Sequence, residues 1–195
     1  MSISLNAELP AQLTMTMREY LSKMKGGAKS PPGVGAGELL WSWLGSVIGI
    51  GLCGFMSSRY FESRELTLLI GSFGASAVLV YGAIKSPLAQ PRNLIGGHIL
   101  SGLVGVACYQ MFGETIWIAA ALAVSLAIVA MLATKTLHPP GGATALIAVI
   151  GGQKIHSLGF LYAFVPAGLG AAVLLAVALL VNNLSKNRKY PEYWL

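Results

Sequence analysis

Leu137-His138-Pro139-Pro140-Gly141-Gly142-Ala143-Thr144-Ala145-Leu146 is the stretch whose reading decides the fold. It follows one long apolar run and opens a shorter one at 143–151. Two prolines and two glycines in succession oppose a regular helix, because proline lacks a backbone donor and glycine loses the most conformational freedom. The composition predicts an unwound segment leading into a half-helix. At a rise of ~1.5 Å per residue, the short run covers about half of a ~30 Å hydrocarbon core. Non-helical backbone survives at membrane depth only when buried in protein or lining a cavity. The stretch therefore points to a membrane protein whose interior uses a broken segment.

The rest of the chain agrees. Of its 195 residues, 55% are apolar and 10% charged, and the mean hydropathy is +0.68. An ordinary soluble domain carries roughly a quarter charged residues. A soluble enzyme, a disordered tail and a disulfide scaffold are excluded. Apolar runs long enough to cross lie at 39–56, 66–84, 94–112, 115–134 and 158–182. With 143–151 as a partial sixth, the fold class is an all-α integral membrane protein with six membrane segments. Residues 38–184 form the transmembrane domain and 185–195 a basic cytoplasmic tail.

The charges test that count. With six segments and a cytoplasmic N-terminus, ten basic residues lie inside and Arg59, Arg64 and Lys154 lie outside. That is a firm positive-inside bias, whereas five segments would put the two basic termini on opposite sides. The expected setting is the inner (plasma) membrane, multi-pass, with both termini cytoplasmic. The net charge of +6 reports topology and not a nucleic acid partner. Within residues 1–37, Leu13, Met17, Tyr20, Leu21 and Met24 share one helical face of 11–25, with Arg18, Lys23 and Lys25 on the other. This reads either as an interfacial helix in the lipid headgroups or as a helix packed on the protein's own surface. Gly26 to Gly37, with Pro31 and Pro32, reads as a linker.

A repeat runs through the chain. Gly74-Ala75-Ser76-Ala77-Val78-Leu79-Val80 is similar to Gly142-Ala143-Thr144-Ala145-Leu146-Ile147-Ala148, at an offset of 68 residues. The same offset carries 94–112 onto 162–180. Two units of three segments follow, and an odd number inverts the second in the membrane. Inverted repeats with broken segments at matching positions, here near 66–84 and 138–151, mark the binding site of a secondary transporter. Chance recurrence of small residues in a glycine-rich bundle is the competing explanation.

If the repeat holds, Gly74, Ala75 and Ser76 face Gly141, Gly142, Ala143 and Thr144 at two opposed helix N-termini. Such ends offer unpaired N–H groups and roughly half a positive charge each. Ser76 and Thr144 add hydroxyl donors. The expected ligand is a small anion, with a neutral solute as the alternative. The chain has no Asp, and its seven Glu all lie in termini, loops or span ends, which disfavours a cation. His98 and His138 could donate to the anion or carry a coupling proton, or could cap backbone beside a broken helix. Lys85, Gln90, Arg92, Asn93 and Lys135 gather at the cytoplasmic mouth, either to concentrate an anion or to set topology. Three scattered histidines give no metal-ligand spacing, so no metal is expected. No cofactor and no catalytic constellation is expected either, because no Asp is available to orient a histidine. Cys53 and Cys108 read as packing residues. Small residues at Gly102, Gly105, Gly168 and Gly170 could pack within or between protomers, and the expected assembly is a homodimer.

The string from Leu137 to Leu146 resembles the signature of the HPP family of integral membrane proteins. Ser86-Pro87-Leu88-Ala89-Gln90-Pro91-Arg92-Asn93 followed by Gly96-Gly97-His98 resembles that family's second block, and Lys189-Tyr190-Pro191-Glu192-Tyr193-Trp194 resembles the ending of cyanobacterial members. The resemblance covers about 38–194. It implies a protein similar to chloroplast-envelope HPP proteins implicated in nitrite transport, and hence a role in nitrogen assimilation. Nitrite enters through the resemblance alone. An anion channel on the same architecture and a non-transporting membrane scaffold or partner subunit remain the alternatives.

Overall fold

In a computed structural model of the chain, residues 16–25, 27–61 and 69–195 are described. They form helices α1 (Met17–Lys23), α2 (Ala36–Met56), α3 (Ser72–Ala77), α4 (Pro91–Phe112), α5 (Ile116–Ala133), α6 (Pro139–Ile150), α7 (Gln153–His156) and α8 (Leu169–Asn182), with no strand among them. The chain divides into two compact units at Gly33/Val34.

The first unit holds α1. Thr16 caps it: its Oγ1 accepts from the Glu19 N–H at 3.2 Å, while the Glu19 carboxylate accepts from the Thr16 N–H at 2.8 Å. That backbone donor, together with the Thr16 hydroxyl, holds the Glu19 carboxyl below its ordinary value. Met17, Tyr20, Leu21 and Met24, expected on one apolar face, are all exposed. Residues 11–15, including Leu13, lie outside the described residues.

The second unit is the helical bundle. Among the described residues, four helical segments are long and apolar enough to cross a membrane: Ala36–Phe61, Pro91–Phe112, Ile116–Ala133 and Gly159–Asn182. Two apolar helices are shorter, Ser72–Gly82 and Pro139–Ile150. At ~1.5 Å per residue these short helices reach roughly half the membrane thickness.

Two expectations need correction. Pro139 and Pro140 are not unwound; they are the first two residues of α6, with His138 at the N-cap. Proline is tolerated there because the first N–H groups of a helix have no intrahelical partner to lose. The break is instead in the last apolar run, expected to be continuous over 158–182. Val165 adopts φ −135°, ψ 113° ahead of Pro166, so the regular helix α8 begins only at Leu169.

Small residues set how closely the helices approach. Helix α5 is apolar around its whole circumference, yet Ala119, Ala123, Ala127 and Met131, four residues apart, are its buried positions. The three alanines of this ladder meet Cys108 of α4 and Ala145 and Val149 of α6 in one apolar cluster. A Cβ on Gly105 would lie 2.6 Å from the Ala145 carbonyl oxygen, and one on Gly102 2.8 Å from the Ala163 Cα. The Tyr81 ring lies across Gly45 and Gly49 of α2. Each contact is one that any larger residue would push apart. Cys53 and Cys108 are free and buried, as packing residues should be.

The connections collect at two ends. At one, the Arg188 guanidinium pairs with Glu38 at 2.9 Å, and the Tyr190 and Tyr193 hydroxyls donate to the Ala89 and Pro87 carbonyls at 2.6 and 3.1 Å. The start of α2, the 83–90 connection and the C-terminal tail therefore share this end. At the other, Tyr109 near the end of α4 stacks on His156 with ring centroids 3.7 Å apart.

Candidate functional site

The two short helices bring Ser76 and Thr144 to opposite sides of one imidazole. Ser76 Oγ lies 2.7 Å from His98 Nε2, and Thr144 Oγ1 lies 2.7 Å from His98 Nδ1. Ser76 Oγ also lies 2.8 Å from His138 Nε2. The His138 Nδ1 is 2.8 Å from the Leu88 carbonyl oxygen, and Thr144 Oγ1 is 2.9 Å from Ser72 Oγ. The result is a continuous chain from Ser72 through Thr144, His98, Ser76 and His138 to Leu88. Ser72, Ser76, His98, His138 and Thr144 have no exposed surface.

Each element delivers its side chain for a local reason. Ser72 and Ser76 are four residues apart on α3, hence on one face. His98 projects from α4, where Gly97 lets the His138 turn come close: a Cβ there would lie 2.5 Å from the His138 Cβ. Gly141 does the same one turn along, where a Cβ would lie 2.6 Å from Ser101 Oγ and 2.9 Å from the Gly97 carbonyl oxygen. Phe73 packs edge-on against His98 at 5.4 Å between centroids, and the Tyr162 hydroxyl donates to the Thr144 carbonyl at 3.0 Å. Buried polar groups of this kind are stable only when their hydrogen bonds are made.

Of the nine residues expected at the centre, four side chains meet there: Ser76, His98, His138 and Thr144. The backbone contribution takes a different form from the expected one. Helix α3 starts at Ser72, not Gly74, and the Phe73 and Gly74 N–H groups already donate to Ile70 and Gly71 at 3.0 and 3.2 Å. Gly74 and Ala75 are exposed. At α6, Pro139 and Pro140 carry no N–H, and the Gly141 N–H donates to the His138 carbonyl at 2.7 Å. The donors available at the centre are therefore side-chain hydroxyls and imidazoles. Gly142 and Ala143 instead floor an apolar cavity walled by Val124, Ile128, Met131 and Leu146.

The five residues expected at the mouth divide in the same way. Gln90 is buried; its Nε2 donates to the Ile84 and Ser86 carbonyls at 3.0 and 2.8 Å, and its Oε1 accepts from the Glu192 N–H at 2.9 Å. Asn93 Nδ2 donates to the Leu137 carbonyl at 2.8 Å. Both hold the backbone that carries the histidine cluster. Lys85 and Lys135 are exposed and Arg92 is half-buried.

Some contributors were not legible in advance. Ser72 could have been found from its four-residue spacing to Ser76. Nothing in the sequence marked Tyr162. No group of three or more His, Cys, Asp or Glu capable of holding a metal occurs among the described residues.

Comparison with known proteins bears on the same region. A transmembrane protein of Dictyostelium discoideum is 51% identical over 180 residues, covering 90% of this chain and 57% of its own length. A second transmembrane protein of that organism is 45% identical over 187 residues, covering 93% of this chain and 65% of its own. The chain thus spans less than two thirds of the length of either relative. No solved structure matches. The family model described as HPP, transmembrane region, matches residues 31–191, which include both short helices and every member of the buried cluster. The chain belongs to the HPP transmembrane family.

Proposed function

We propose that this protein is a membrane transporter of a small monovalent anion, with Ser76, His98, His138 and Thr144 as its central site and nitrite as the substrate. The observation that carries the reading is one buried imidazole held between two hydroxyls from two half-length helices. That cluster offers hydrogen-bond donors and no carboxylate. An anion entering it would displace bonds within the cluster and accept from the His98 imidazole and from the Ser76 and Thr144 hydroxyls, without a fixed full charge to hold it too tightly. Nitrite is the small anion suggested by the likeness to HPP proteins implicated in its transport.

The element boundaries support a six-segment, inverted-repeat architecture. Shifted by 68 residues, the helix at 72–82 falls on 140–150 and the one at 91–112 on 159–180, against observed limits of 139–150 and 159–182. Ser76 and Thr144, equivalent under that shift, bond the two nitrogens of the same ring. Six segments place both termini on one side, the cytoplasmic side of the plasma membrane by charge bias. The complete burial of the cluster favours a carrier over a channel, since a pore needs a continuous open path. Access then requires one repeat to move against the other. The exposed apolar residues of α5, which include Trp117, Val129 and Leu132, are the surface a spanning helix offers to lipid.

The test is nitrite uptake into proteoliposomes holding the purified full chain. Saturable uptake, reduced at least tenfold by Thr144→Val, is the expected result. Absence of nitrite, nitrate and formate uptake by folded protein would overturn the anion reading.

A further inference from the structure

We propose that His98, Ser76 and His138 form a relay for a single proton, with the Ser76 hydroxyl as the reversing element, and that this proton accompanies the substrate. The coupling to substrate rests on the transporter reading; the relay itself does not.

The hydrogen bonds admit few arrangements. The Leu88 carbonyl can only accept, so His138 carries a hydrogen on Nδ1 in every state. In the neutral cluster His138 Nε2 is then an acceptor, and Ser76 must donate to it. A hydroxyl has one hydrogen, so Ser76 must accept from His98 Nε2–H. His98 Nδ1 is left as an acceptor, and Thr144 must donate to it. No other neutral arrangement keeps every bond to the two rings; in it Thr144 Oγ1 accepts from the Ser72 hydroxyl at 2.9 Å and leaves the Pro140 carbonyl. The two rings therefore hold opposite tautomers, His138 on Nδ1 and His98 on Nε2.

One extra proton fits in two places. On His98, Nδ1–H donates to Thr144, whose own hydrogen turns to Ser72 Oγ at 2.9 Å or to the Pro140 carbonyl at 3.3 Å. To pass it on, His98 gives its Nε2 hydrogen to Ser76 Oγ, and Ser76 gives its own hydrogen to His138 Nε2. No heavy-atom bond forms or breaks, and every hydrogen is conserved. Ser76 then donates to His98 instead of accepting from it, and all the hydrogen bonds survive. Two extra protons do not fit. Both Nε2–H groups would donate to Ser76 Oγ, whose own hydrogen would lose its acceptor, and the two cationic rings would lie 5.1 Å apart.

Among the described residues, nothing charged faces the pair. Helix α3 presents Ser72, Phe73 and Ser76; α4 presents Ser101; α6 presents Pro140 and Thr144; the 87–89 turn presents the Leu88 carbonyl; and the 159–163 turn presents Tyr162. Arg188 is the one fully buried charged side chain among the described residues, and its partners are Glu38, Ser42, Asn182 and the Tyr81 carbonyl. The relay therefore carries a proton without a counter-ion, which suits co-passage with an anion.

The experiment is 15N magnetic resonance of the histidine-labelled full chain in lipid bilayers, alongside proton movement in nitrite-loaded proteoliposomes. The expected spectrum has His138 protonated at Nδ1 and His98 at Nε2. Acidification adds one proton, exchanging between the two rings. Ser76→Ala should split this into two independent titrations, and Ser76→Thr should restore the shared one. In flux, the wild type should move one proton per nitrite, and Ser76→Ala should lower that ratio at least fivefold. Both rings in the same tautomer, or two protons taken up in separate steps with Ser76 intact, would overturn the relay. Loss of nitrite uptake with opposite tautomers and one shared proton would overturn the anion reading and leave the relay standing.

Discussion

Replacing Arg188 with Met should destabilise the bundle more than any neighbouring polar change. The side chain is 1% exposed, and its guanidinium donates to Glu38 Oε2 at 3.0 Å, Asn182 Oδ1 at 2.9 Å, Ser42 Oγ at 2.8 Å and the Tyr81 carbonyl at 2.9 Å. Tyr81 lies in the last turn of the short Ser72–Gly82 helix, where carbonyls lack an intrahelical donor. Asn182 covers the preceding carbonyl, donating to Val80 at 2.9 Å. Arg188 thus closes a helix C-terminus with a cation, the favourable end for one. In Arg188→Met the Tyr81 carbonyl keeps the Ser42 hydroxyl, at 2.8 Å. Asn182 Oδ1 is orphaned at about 1–3 kcal/mol. Glu38 is 40% exposed, so its carboxylate recovers water and adds little. With the lost charge-assisted bond to the carbonyl, the total is about 3–4 kcal/mol, in the lower part of the ~3–5 kcal/mol that breaking a buried ion pair costs. At roughly 2–4 °C per kcal/mol for a chain this size, the midpoint falls by about 6–16 °C. The assay uses the protein's own thiols: Cys53 and Cys108 are buried and should react with a fluorogenic maleimide only on unfolding. Glu38→Gln should cost about 1 kcal/mol, since the amide oxygen still accepts. A shift under 2 °C for Arg188→Met, or an equal shift for Glu38→Gln, would refute this account.

Thr144→Val should lower stability by about 1–3 kcal/mol, read by the same thiol assay, because His98 Nδ1 and Ser72 Oγ both lose their hydroxyl neighbour. Gly170→Ala should cost about 1–3 kcal/mol and lower nitrite uptake, since the new Cβ would lie 2.1 Å from the Phe73 ring that packs edge-on against His98; unchanged uptake would dissociate Phe73 from the site. Tyr190→Phe should cost about 1 kcal/mol through the lost bond to the Ala89 carbonyl, and should speed protease cleavage within 186–195.

The length of the apolar runs located the long helices because length and hydropathy alone decide them, and α4 and α5 lie within three residues of their expected ends. It placed Ser76, His98, His138 and Thr144 among the site residues because broken segments and lone imidazoles stand out in an apolar chain. It misjudged helix starts, which depend on where the first N–H groups find partners. Pro139 and Pro140 look like helix breakers, but they occupy the one turn where a missing N–H costs nothing. Gly74 looks like a helix start, but its N–H is spent on Gly71. The tail was legible as a run of charge and a family-like ending, not as an anchor with a buried side chain. That Arg188 is buried depends on Glu38, 150 residues away, and no local pattern encodes such a contact.

The tail and the cluster are mechanically one chain. Tyr193 holds the Pro87 carbonyl, Tyr190 the Ala89 carbonyl, and Gln90 receives the Glu192 N–H, so the 87–89 turn is clamped from the C-terminal side. Between those two carbonyls stands Leu88, whose own carbonyl fixes His138 Nδ1. Lifting the turn while His138 stays in place would strip that bond and leave a buried N–H with no acceptor. The cost, about 1–3 kcal/mol, is comparable to the contacts that hold the tail down. His138 and the turn must therefore move together. Since Ser76 follows His138 and His98 follows Ser76, opening the cluster from this end requires the tail to yield first.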